Sequence, residues 1–546
     1  MAFQGVEFKA GTIGYKRVNE QYASSSYEGD RNFCPKAILQ PSSTEDIQIV
    51  IKNARDNNVP VALRTGGHQY SGASSTDKSG IILDLKHTFR RPGVDLKLNR
   101  VGDKAFLYAS VSYKLGEVFD FFKDNGIFMP TGQCSEVHVG GHVQSGGFGM
   151  LARSIGLLVD WVREITIVNH EGEVVKVTKE SHPDLFFGIC GGSPGNFGVV
   201  THYKIEVQQD KDYEGSKGLW IAFFYRDHTY KALLDLLRRK AEDPNLPRGY
   251  DFTVNVTSRS ADLAALYPGT KDQLRKALGG VQDEEKLEKL LDGKYALIIC
   301  WAQFLNIKGE PAYDPSFFKE IKNVPCDAGK PPFIVKDLGD KTPMPASEIY
   351  TKWFLEKARE FDLPYIKRTY TTKRLTSPDW SKWFQGRVSE IIGSKENPKG
   401  VPGLWISSQI QMYGGKNSMF IKNGLAKNCT AIANRDSIIS GTWDAFYNVP
   451  KPYSPIETKN NKPQAEEWQK KNDEGLKKYY SETDRRLLWG SWGDWDLSKP
   501  EVWKCYYDDE TFEQLQNIRK KADPYGTFSY SPFAVPRAEQ VATHWP

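Results

Sequence analysis

No apolar run in the 546-residue chain reaches the length of about 20 residues that a membrane-spanning helix needs. The first residues, MAFQGVEFKAGTIGYKR, also lack the basic-then-apolar order of a secretory signal. We therefore expect no membrane association, and a protein that is either intracellular or already separated from a leader peptide.

The sequence has little excess charge and few cysteines. Lys and Arg number 73 against 68 Asp and Glu, which gives a net charge of +5, and the basic residues form no single block. This balance argues against a nucleic-acid partner. The seven cysteines are scattered without C-x-x-C spacing, so neither a zinc site nor a redox dithiol is indicated.

Two common nucleotide-binding motifs are also missing: a G-x-G-x-x-G after a strand, and the G-x-x-x-x-G-K-[ST] phosphate loop. Glycine is instead concentrated in Thr131–Met150, with paired glycines upstream at Gly66-Gly67 and downstream at 191–198. Glycine-rich turns expose backbone N–H groups that can bind an anion. A single such loop is more often a simple turn, but three in one half of the chain favour a phosphate-bearing ligand.

Up to about Ile205 the chain alternates predicted helices and strands. Helices are expected at 47–55 with residues 41–46 as the cap, at Leu115–Asn125 with Gly126 as its end, and after His182. Strands are expected at 59–64, 81–85, 162–168 and 173–178. A charged connector at 208–212 then leads to strands at 219–225, 253–257 and 297–304 that alternate with helices at 230–242, 346–361 and 378–392. Residues 459–471 are expected to form a solvated loop or helix start, and 508–521 a helix. The second half therefore fits an antiparallel sheet covered by helices.

His68 and Cys134 are the residues most open to a chemical role, because each lies in a glycine-rich turn. Either alone is more often structural, since a reactive thiol needs both access and a lowered pKa. Their occurrence in two separate glycine turns is less ordinary.

These turns carry a family resemblance. Four segments resemble the berberine-bridge-enzyme-like branch of the vanillyl-alcohol-oxidase flavoproteins: Arg64-Thr65-Gly66-Gly67-His68-Gln69-Tyr70, Gly132-Gln133-Cys134, 139–149 and 195–201. Weaker matches follow at 413–418, 430–436 and 503–507. The resemblance implies a two-domain α+β fold, with an FAD-binding domain at 1–207, a substrate-binding domain at 208–495, and a C-terminal segment at 496–546 that returns to the FAD domain.

In that family FAD is bound through two covalent bonds, which carry over here to His68 at the flavin 8α-methyl and Cys134 at flavin C6. The resemblance implies that further residues contact the cofactor: Arg64, Thr65, Gly66, Gly67, Gln69, Gly132, Val137, Gly140, Gly141, His142, Gly146, Gly147, Gly198, Val199 and Val200. Val137 occupies the position that controls oxygen access to the flavin, and a small valine there is similar to the pattern of oxidases. No metal is implied.

The motifs at Gln409 and 413–418 look most like the oligosaccharide-oxidising members. The implied function is oxidation of a carbohydrate hydroxyl, with hydride passing to flavin and O2 reduced to hydrogen peroxide. A sugar and O2 would be the partners of a monomer, and secretion is what the family leads us to expect. Tyr70, Gln409, Gln411 and Trp492 are the expected substrate contacts, and Trp405 is a further aromatic that could line the groove.

The sequence departs from the family at the catalytic base. Trp492 stands where the family has a tyrosine that removes the hydroxyl proton, and indole cannot act as a base. Gln411 replaces an aspartate that tunes this tyrosine. Tyr70, Tyr413 and Asp494 are the remaining catalytic candidates, with Tyr447 as a further tyrosine. Two alternatives therefore stay open: an oxidase of phenolic or alkaloid-type metabolites, and a flavin-carrying protein without turnover.

Overall fold

The computed structural model describes residues 2–20, 33–69, 72–258, 296–327, 332, 334–352, 364–393, 400–424, 430–448, 460–480, 496–528 and 531–538. Tyr70, Trp492 and Asp494, three of the residues predicted for the site, lie outside these ranges.

The first part of the chain contains two small sheets. Its strands are β1 (Val6–Lys9), β2 (Ala37–Gln40), β3 (Val61–Arg64), β4 (Ile81–Asp84), β5 (Leu96–Val101), β6 (Lys104–Ser110), β7 (Ile127–Phe128), β8 (Val162–Val168), β9 (Val174–Val177) and β10 (Val199–Gln209). One sheet has the order β1-β2-β4-β3, with β2, β4 and β3 parallel. The other has the antiparallel order β5-β6-β10-β8-β9, and β7 pairs with β10.

Short helices connect these strands. They are α1 (Tyr15–Asn19), α2 (Thr44–Asp56), α3 (Leu115–Asn125), α4 (Val139–Gln144), α5 (Ala152–Ile155) and α6 (Pro183–Ile189), with a 3₁₀ turn at Leu158–Trp161. Ser43 caps α2 by accepting a hydrogen bond from the Asp46 N–H at 3.3 Å. Helix α3 ends as predicted at Gly126, whose φ of 61° is a left-handed conformation that glycine adopts without strain.

The second part is built on one antiparallel sheet of order β14-β11-β13-β12-β16-β17-β15. Its strands are β11 (Lys217–Phe224), β12 (Tyr250–Thr257), β13 (Leu297–Phe304), β14 (Ile334–Leu338), β15 (Tyr365–Thr372), β16 (Leu404–Met412) and β17 (Ile439–Tyr447). The charged connector expected at 208–212 is shorter in the structure. Gln208 and Gln209 are buried at the end of β10, and the 3₁₀ turn Asp210–Asp212 follows them.

Helices cover one face of this sheet. They include α7 (Asp227–Glu242), α8 (Ser316–Lys322), α10 (Trp380–Ile392) and α12 (Lys462–Tyr479), whereas α9 (Ala346–Thr351) and α11 (Met419–Gly424) pack on the first part of the chain. The predicted helix at 346–361 is therefore described only over its first turns, and the segment expected to be a loop or helix start forms α12. Apolar side chains that alternate along the strands, such as Ile406 and Ile410 in β16, pack with these helices into one core.

The opposite face of the sheet packs on the first part of the chain. Trp220, Ile299 and Trp301 belong to the same hydrophobic core as β6, β8 and β10. The remaining helices, α13 (Pro500–Trp503) and α14 (Asp509–Ala522), also join this core. The C-terminal segment contacts β3 directly, since the Val61 N–H donates to the Thr527 carbonyl at 2.8 Å.

Arg153, in α5, holds the two parts of the chain together. Its side chain is fully buried and donates hydrogen bonds of 2.7–3.2 Å to five backbone carbonyls of the second part: Leu246, Pro247, Arg248, Tyr250 and Gly414. Burial lowers the pKa of Arg153 to about 10, and the nearby Asp251 carboxylate opposes this shift. The guanidinium therefore stays charged at neutral pH.

We expect Arg153→Ala to lower the free energy of unfolding by about 3–5 kcal/mol, because it leaves five backbone carbonyls in the interior without their hydrogen-bond donor. Denaturant titration measures the change. Arg239→Ala is the control, since the ion pair of Arg239 with Glu320 is half-exposed and the change should leave stability nearly unaltered. Equal losses in the two variants would contradict the role given to Arg153.

Among the described residues, no helix is long and apolar enough to cross a membrane. Nor does this part of the chain hold a group of three or more His, Cys, Asp or Glu side chains that could bind a metal. The six cysteines it includes are free thiols: Cys34, Cys134, Cys190, Cys300, Cys326 and Cys505.

Candidate functional site

A cavity of about 260 Å³ brings the three glycine-rich segments together with the large sheet. The turn after β3, the loop before α4 and the turn before β10 form one side, and β16 and β17 form the other. Among the expected cofactor contacts, the following line it: Arg64, Thr65, Gly66, Gly67, His68, Gln69, Gly132, Cys134, Val137, Gly140, Gly141, His142 and Val200. The sequence segments that carry the family resemblance therefore converge in space.

His68 is presented to the cavity by the turn that follows β3. Gly67 has a φ of 66°, which allows the tight reversal that a residue with a side chain rarely adopts. Burial lowers the pKa of His68 to about 4, and a hydrogen bond with the Glu136 backbone opposes this effect. The imidazole is consequently neutral at physiological pH, and a neutral ring nitrogen keeps a nucleophilic lone pair.

Cys134 lies in the loop between β7 and α4 and is a half-buried free thiol. Hydrogen bonds hold the backbone that precedes it. The Thr131 N–H donates to the Tyr350 hydroxyl at 2.7 Å, and the Gly132 N–H donates to His142 Nε2 at 2.9 Å. Burial lowers the pKa of His142 to about 4, so this nitrogen acts as an uncharged acceptor. His68 and Cys134 therefore border one cavity from two rigid loops.

The glycines of this region serve two different purposes. Gly141 is exposed within the cavity lining, and a Cβ placed there would meet no atom within 4 Å. In contrast, a Cβ on Gly149 would lie 1.9 Å from the Thr131 carbonyl oxygen, and one on Gly140 would lie 2.9 Å from the Val111 side chain. Gly141 thus leaves room for a ligand, whereas the other two allow protein segments to pack closely.

Four expected cofactor contacts are absent from the cavity lining: Gly146, Gly147, Gly198 and Val199. A Cβ on Gly147 would lie 2.3 Å from Leu158, and a Cβ on Gly146 would lie 2.7 Å from Ile432. Gly198 has a φ of 123° next to Ile167, and Val199 is a buried residue of β10. These residues pack against other parts of the protein, and their contact with a cofactor stays a prediction.

The large sheet contributes neutral polar groups to the cavity. Gln409, Gln411 and Tyr413 project from one face of β16, and Ser440 and Thr442 from the paired positions of β17. The Gln411 amide donates to the Gly149 carbonyl at 2.9 Å, and the Tyr413 hydroxyl lies 3.4 Å from Gln411 Oε1. The Tyr413 ring stacks on Phe420 with centroids 4.3 Å apart. Burial raises the pKa of Tyr413, which keeps its hydroxyl protonated.

Two residues that the sequence reading did not single out also line the cavity. Gln133 donates to Gln409 Oε1 at 3.1 Å, and its own Oε1 is buried with no hydrogen-bond partner among the residues that the structure describes. His138 is buried next to His68, and its Nε2 likewise has no partner. No local sequence pattern marks Gln133 or His138, because the residues that they contact lie far away along the chain. Trp405, in contrast, packs against Tyr365 and Phe446 and is absent from the cavity lining.

The residues present fit a bound flavin nucleotide. Buried polar atoms without a partner are uncommon in proteins, and Gln133 Oε1 and His138 Nε2 both border the cavity, where a ligand could satisfy them. The open side of Gly141 admits a flat group close to the backbone. His68 and Cys134 are the nucleophiles that could bind it covalently.

Comparisons with known proteins agree with this geometry. Residues 35–178 match a family described as FAD binding domain. Berberine bridge enzyme-like 19 of Arabidopsis thaliana is 35% identical over 176 residues, which cover 32% of this chain and 30% of that protein. Two FAD-linked oxidoreductases, from Dictyostelium discoideum and Metarhizium anisopliae, are matched over 56% and 46% of their own length.

Solved structures extend the fold match to nearly the whole chain. Physcomitrella patens BBE-like 1 superposes with a TM-score of 0.70 at 16% identity and covers 98% of each chain. The glucooligosaccharide oxidase of Acremonium strictum, which carries a 6-S-cysteinyl, 8α-N1-histidyl FAD, superposes with a TM-score of 0.67 at 17% identity over 97% of this chain and 98% of that one. At these identities the superpositions establish the fold alone.

The fold and the cavity define a two-domain α+β flavoprotein that binds FAD. Within that class, residues 35–178 form the FAD binding domain, and part of the chain is similar in sequence to berberine bridge enzyme-like proteins and FAD-linked oxidoreductases.

Proposed function

We propose that the protein is an FAD-dependent oxidase that removes hydride from a carbohydrate hydroxyl and reduces O2 to hydrogen peroxide, with FAD bound covalently to His68 and Cys134. The observation that carries this proposal is the shared cavity: both residues line it together with the neutral polar face of the large sheet. FAD would supply the hydride acceptor and the route of electrons to O2.

The polar groups of β16 and β17 suit a neutral ligand rich in hydroxyl groups. Gln409 is paired with Thr442, and Gln411 with Ser440, so amides and hydroxyls alternate across the two strands. Each amide both donates and accepts, as a sugar hydroxyl does. Gln133 and Gln409 already form one amide pair across the cavity, which would place a substrate between the FAD-binding loops and the sheet.

Catalytic roles can be divided among the candidates. Tyr413 would act as a hydrogen-bond donor that orients the substrate, because its raised pKa makes loss of its proton costly. Tyr70 and Asp494 remain the candidates for the base that takes the hydroxyl proton. Val137, which lines the cavity, would leave O2 a path to the flavin.

The function is tested by measuring peroxide release from the purified protein over a panel of neutral oligosaccharides, monosaccharides and aromatic alcohols. We expect turnover with sugars. Activity confined to the aromatic alcohols would instead support an oxidase of phenolic or alkaloid-type metabolites. A bound flavin that no compound on the panel reduces would support a flavin carrier without turnover.

We expect Tyr413→Phe to lower kcat/KM roughly five- to tenfold, the effect of losing one hydrogen bond of about 1 kcal/mol. The acidic limb of the pH–rate profile should stay in place, since the base is a different group. Steady-state kinetics against pH, with the best sugar of the panel, measure both quantities. If kcat/KM instead falls by about 10³-fold or more and the acidic limb disappears, Tyr413 itself is the base.

Tyr70→Phe and Asp494→Asn are the parallel variants. We expect one of these two to remove the acidic limb and to slow flavin reduction far more than Tyr413→Phe does. Retention of the limb in all three variants would exclude Tyr70, Tyr413 and Asp494 as the base.

A further inference from the structure

His68 has a second imidazole as its neighbour. A Cβ placed on Gly66 would lie 2.9 Å from Cδ2 of His68 and 2.6 Å from Nδ1 of His138, so the two rings flank the same glycine. Both line the cavity, and His138 is 3% exposed. The close approach of these rings depends on the absence of a side chain at residue 66.

One backbone carbonyl fixes the protonation of both rings. His138 Nδ1 lies 3.2 Å from the Glu136 carbonyl oxygen, and His68 also forms a hydrogen bond with the Glu136 backbone. A carbonyl oxygen can only accept, so in each neutral imidazole the nitrogen that faces Glu136 carries the hydrogen. The other nitrogen of each ring then carries no hydrogen.

For His138 this second nitrogen is Nε2, which is buried and has no hydrogen-bond partner in the part of the chain that the structure describes. Burial and the positive charges of Lys86 and Lys114 lower the pKa of His138 to about 3, so Nε2 is unprotonated at physiological pH. A buried acceptor that lacks a donor costs stability. A proton or a donor brought by a bound cofactor would satisfy it.

We propose that His138 is a catalytic residue for formation of the His68–flavin bond, with its Nε2 accepting the proton that the flavin 8α-methyl group must lose. The inference rests on the covalent attachment set out under Proposed function. As the methyl proton leaves, negative charge develops on the ring system next to His138, and that charge raises the affinity of Nε2 for the proton.

The reaction balances as follows. The His68 nitrogen without hydrogen forms the N–C bond to the 8α carbon, the methyl C–H bond breaks, and its proton goes to His138. Bond formation leaves His68 as an imidazolium, which releases its N–H proton to water. Two electrons remain on the flavin and pass to O2, which takes up the two protons to give H2O2.

The test measures which residues carry flavin in protein purified as it is expressed. After denaturation and tryptic digestion, mass spectrometry gives the fraction of His68 peptide and of Cys134 peptide that bears flavin. In His138→Asn, whose side-chain amide can still donate to Glu136 but has no basic nitrogen, we expect the His68 bond in less than a tenth of molecules. Formation of the bond during incubation with FAD in air should be slower by about 10²-fold. The Cys134 bond should remain.

Rescue separates proton transfer from a packing role. His138→Gly leaves space for added imidazole, which should restore the His68 bond at a rate that rises with imidazole concentration. His202→Asn is the matched control, because His202 hydrogen-bonds Asp95 at 3.3 Å and is absent from the cavity lining; it should keep both bonds.

Two results would overturn the inference in distinguishable ways. If the wild type carries the His68 bond and His138→Asn forms it equally fast, His138 has no catalytic role, and the proposed function stands. If the wild type itself lacks a flavin bond to His68, covalent attachment through this residue fails, and the role of His138 fails with it.

Discussion

After denaturation in acid, the Cys134→Ala variant keeps flavin attached through His68 alone, His68→Ala keeps it through Cys134 alone, and the double variant releases it completely. We expect this because the two residues border one cavity from separate loops, so each bond can form without the other. Absorbance of the precipitated protein and of the supernatant at flavin wavelengths measures the result.

Turnover should fall in both single variants. Each bond withdraws electron density from the ring, so its loss lowers the flavin potential and weakens the driving force for hydride transfer. A decrease of about 30 mV in a two-electron potential corresponds to a factor of ten in the equilibrium constant. We therefore expect flavin reduction by the best sugar to slow by roughly tenfold or more in each variant.

Cys505→Ala provides the control for the thiol substitution. Cys505 is a free cysteine that donates to the Glu501 carbonyl, and it is absent from the cavity lining. This variant should keep both bonds and full activity. Release of flavin from Cys134→Ala with His68 intact would contradict independent attachment.

The second large effect is expected at Gly141. A Cβ there meets no protein atom within 4 Å, so a larger side chain would extend into the cavity that Gly141 lines. Gly141→Leu should therefore fold normally, because leucine also has the higher helix propensity in α4. Its flavin content after purification should fall below about a tenth of the wild-type value, in line with steric exclusion of the cofactor.

Gly386→Leu is the matched control for this variant. Gly386 lies in α10, is also open with nothing within 4 Å of its Cβ position, and is remote from the cavity lining. It should fold and keep its flavin. Flavin absorbance per protein measures the cofactor content of both variants, and thermal unfolding shows whether they fold. Normal flavin content in Gly141→Leu would show that this cavity does not hold the cofactor.

Local sequence signals predicted the secondary structure near the site. Ser43 as a helix cap and Gly126 as a helix end act on their own neighbours, so they are readable without a fold. The glycine-rich turns around His68 and Cys134 could also be identified from the sequence, because their motifs consist of neighbouring residues. The chemistry of these short segments is contained within them.

The remainder of the site depends on contacts that no local pattern records. Gln133 and Gln409 are 276 residues apart, and Arg153 binds carbonyls more than 90 residues away. Glycine is ambiguous for a similar reason. Gly141 and Gly149 look alike in sequence, yet one faces a cavity and the other faces the Thr131 backbone. Only the packing of distant segments decides which side of a glycine stays open.

Peptide mass mapping of the wild-type protein tests the central claim most directly. After denaturation and tryptic digestion, the peptide that contains His68 and the peptide that contains Cys134 should be recovered as one species, joined by a flavin of the expected mass. Recovery of both peptides unmodified, with the yellow pigment free in solution, would contradict the account.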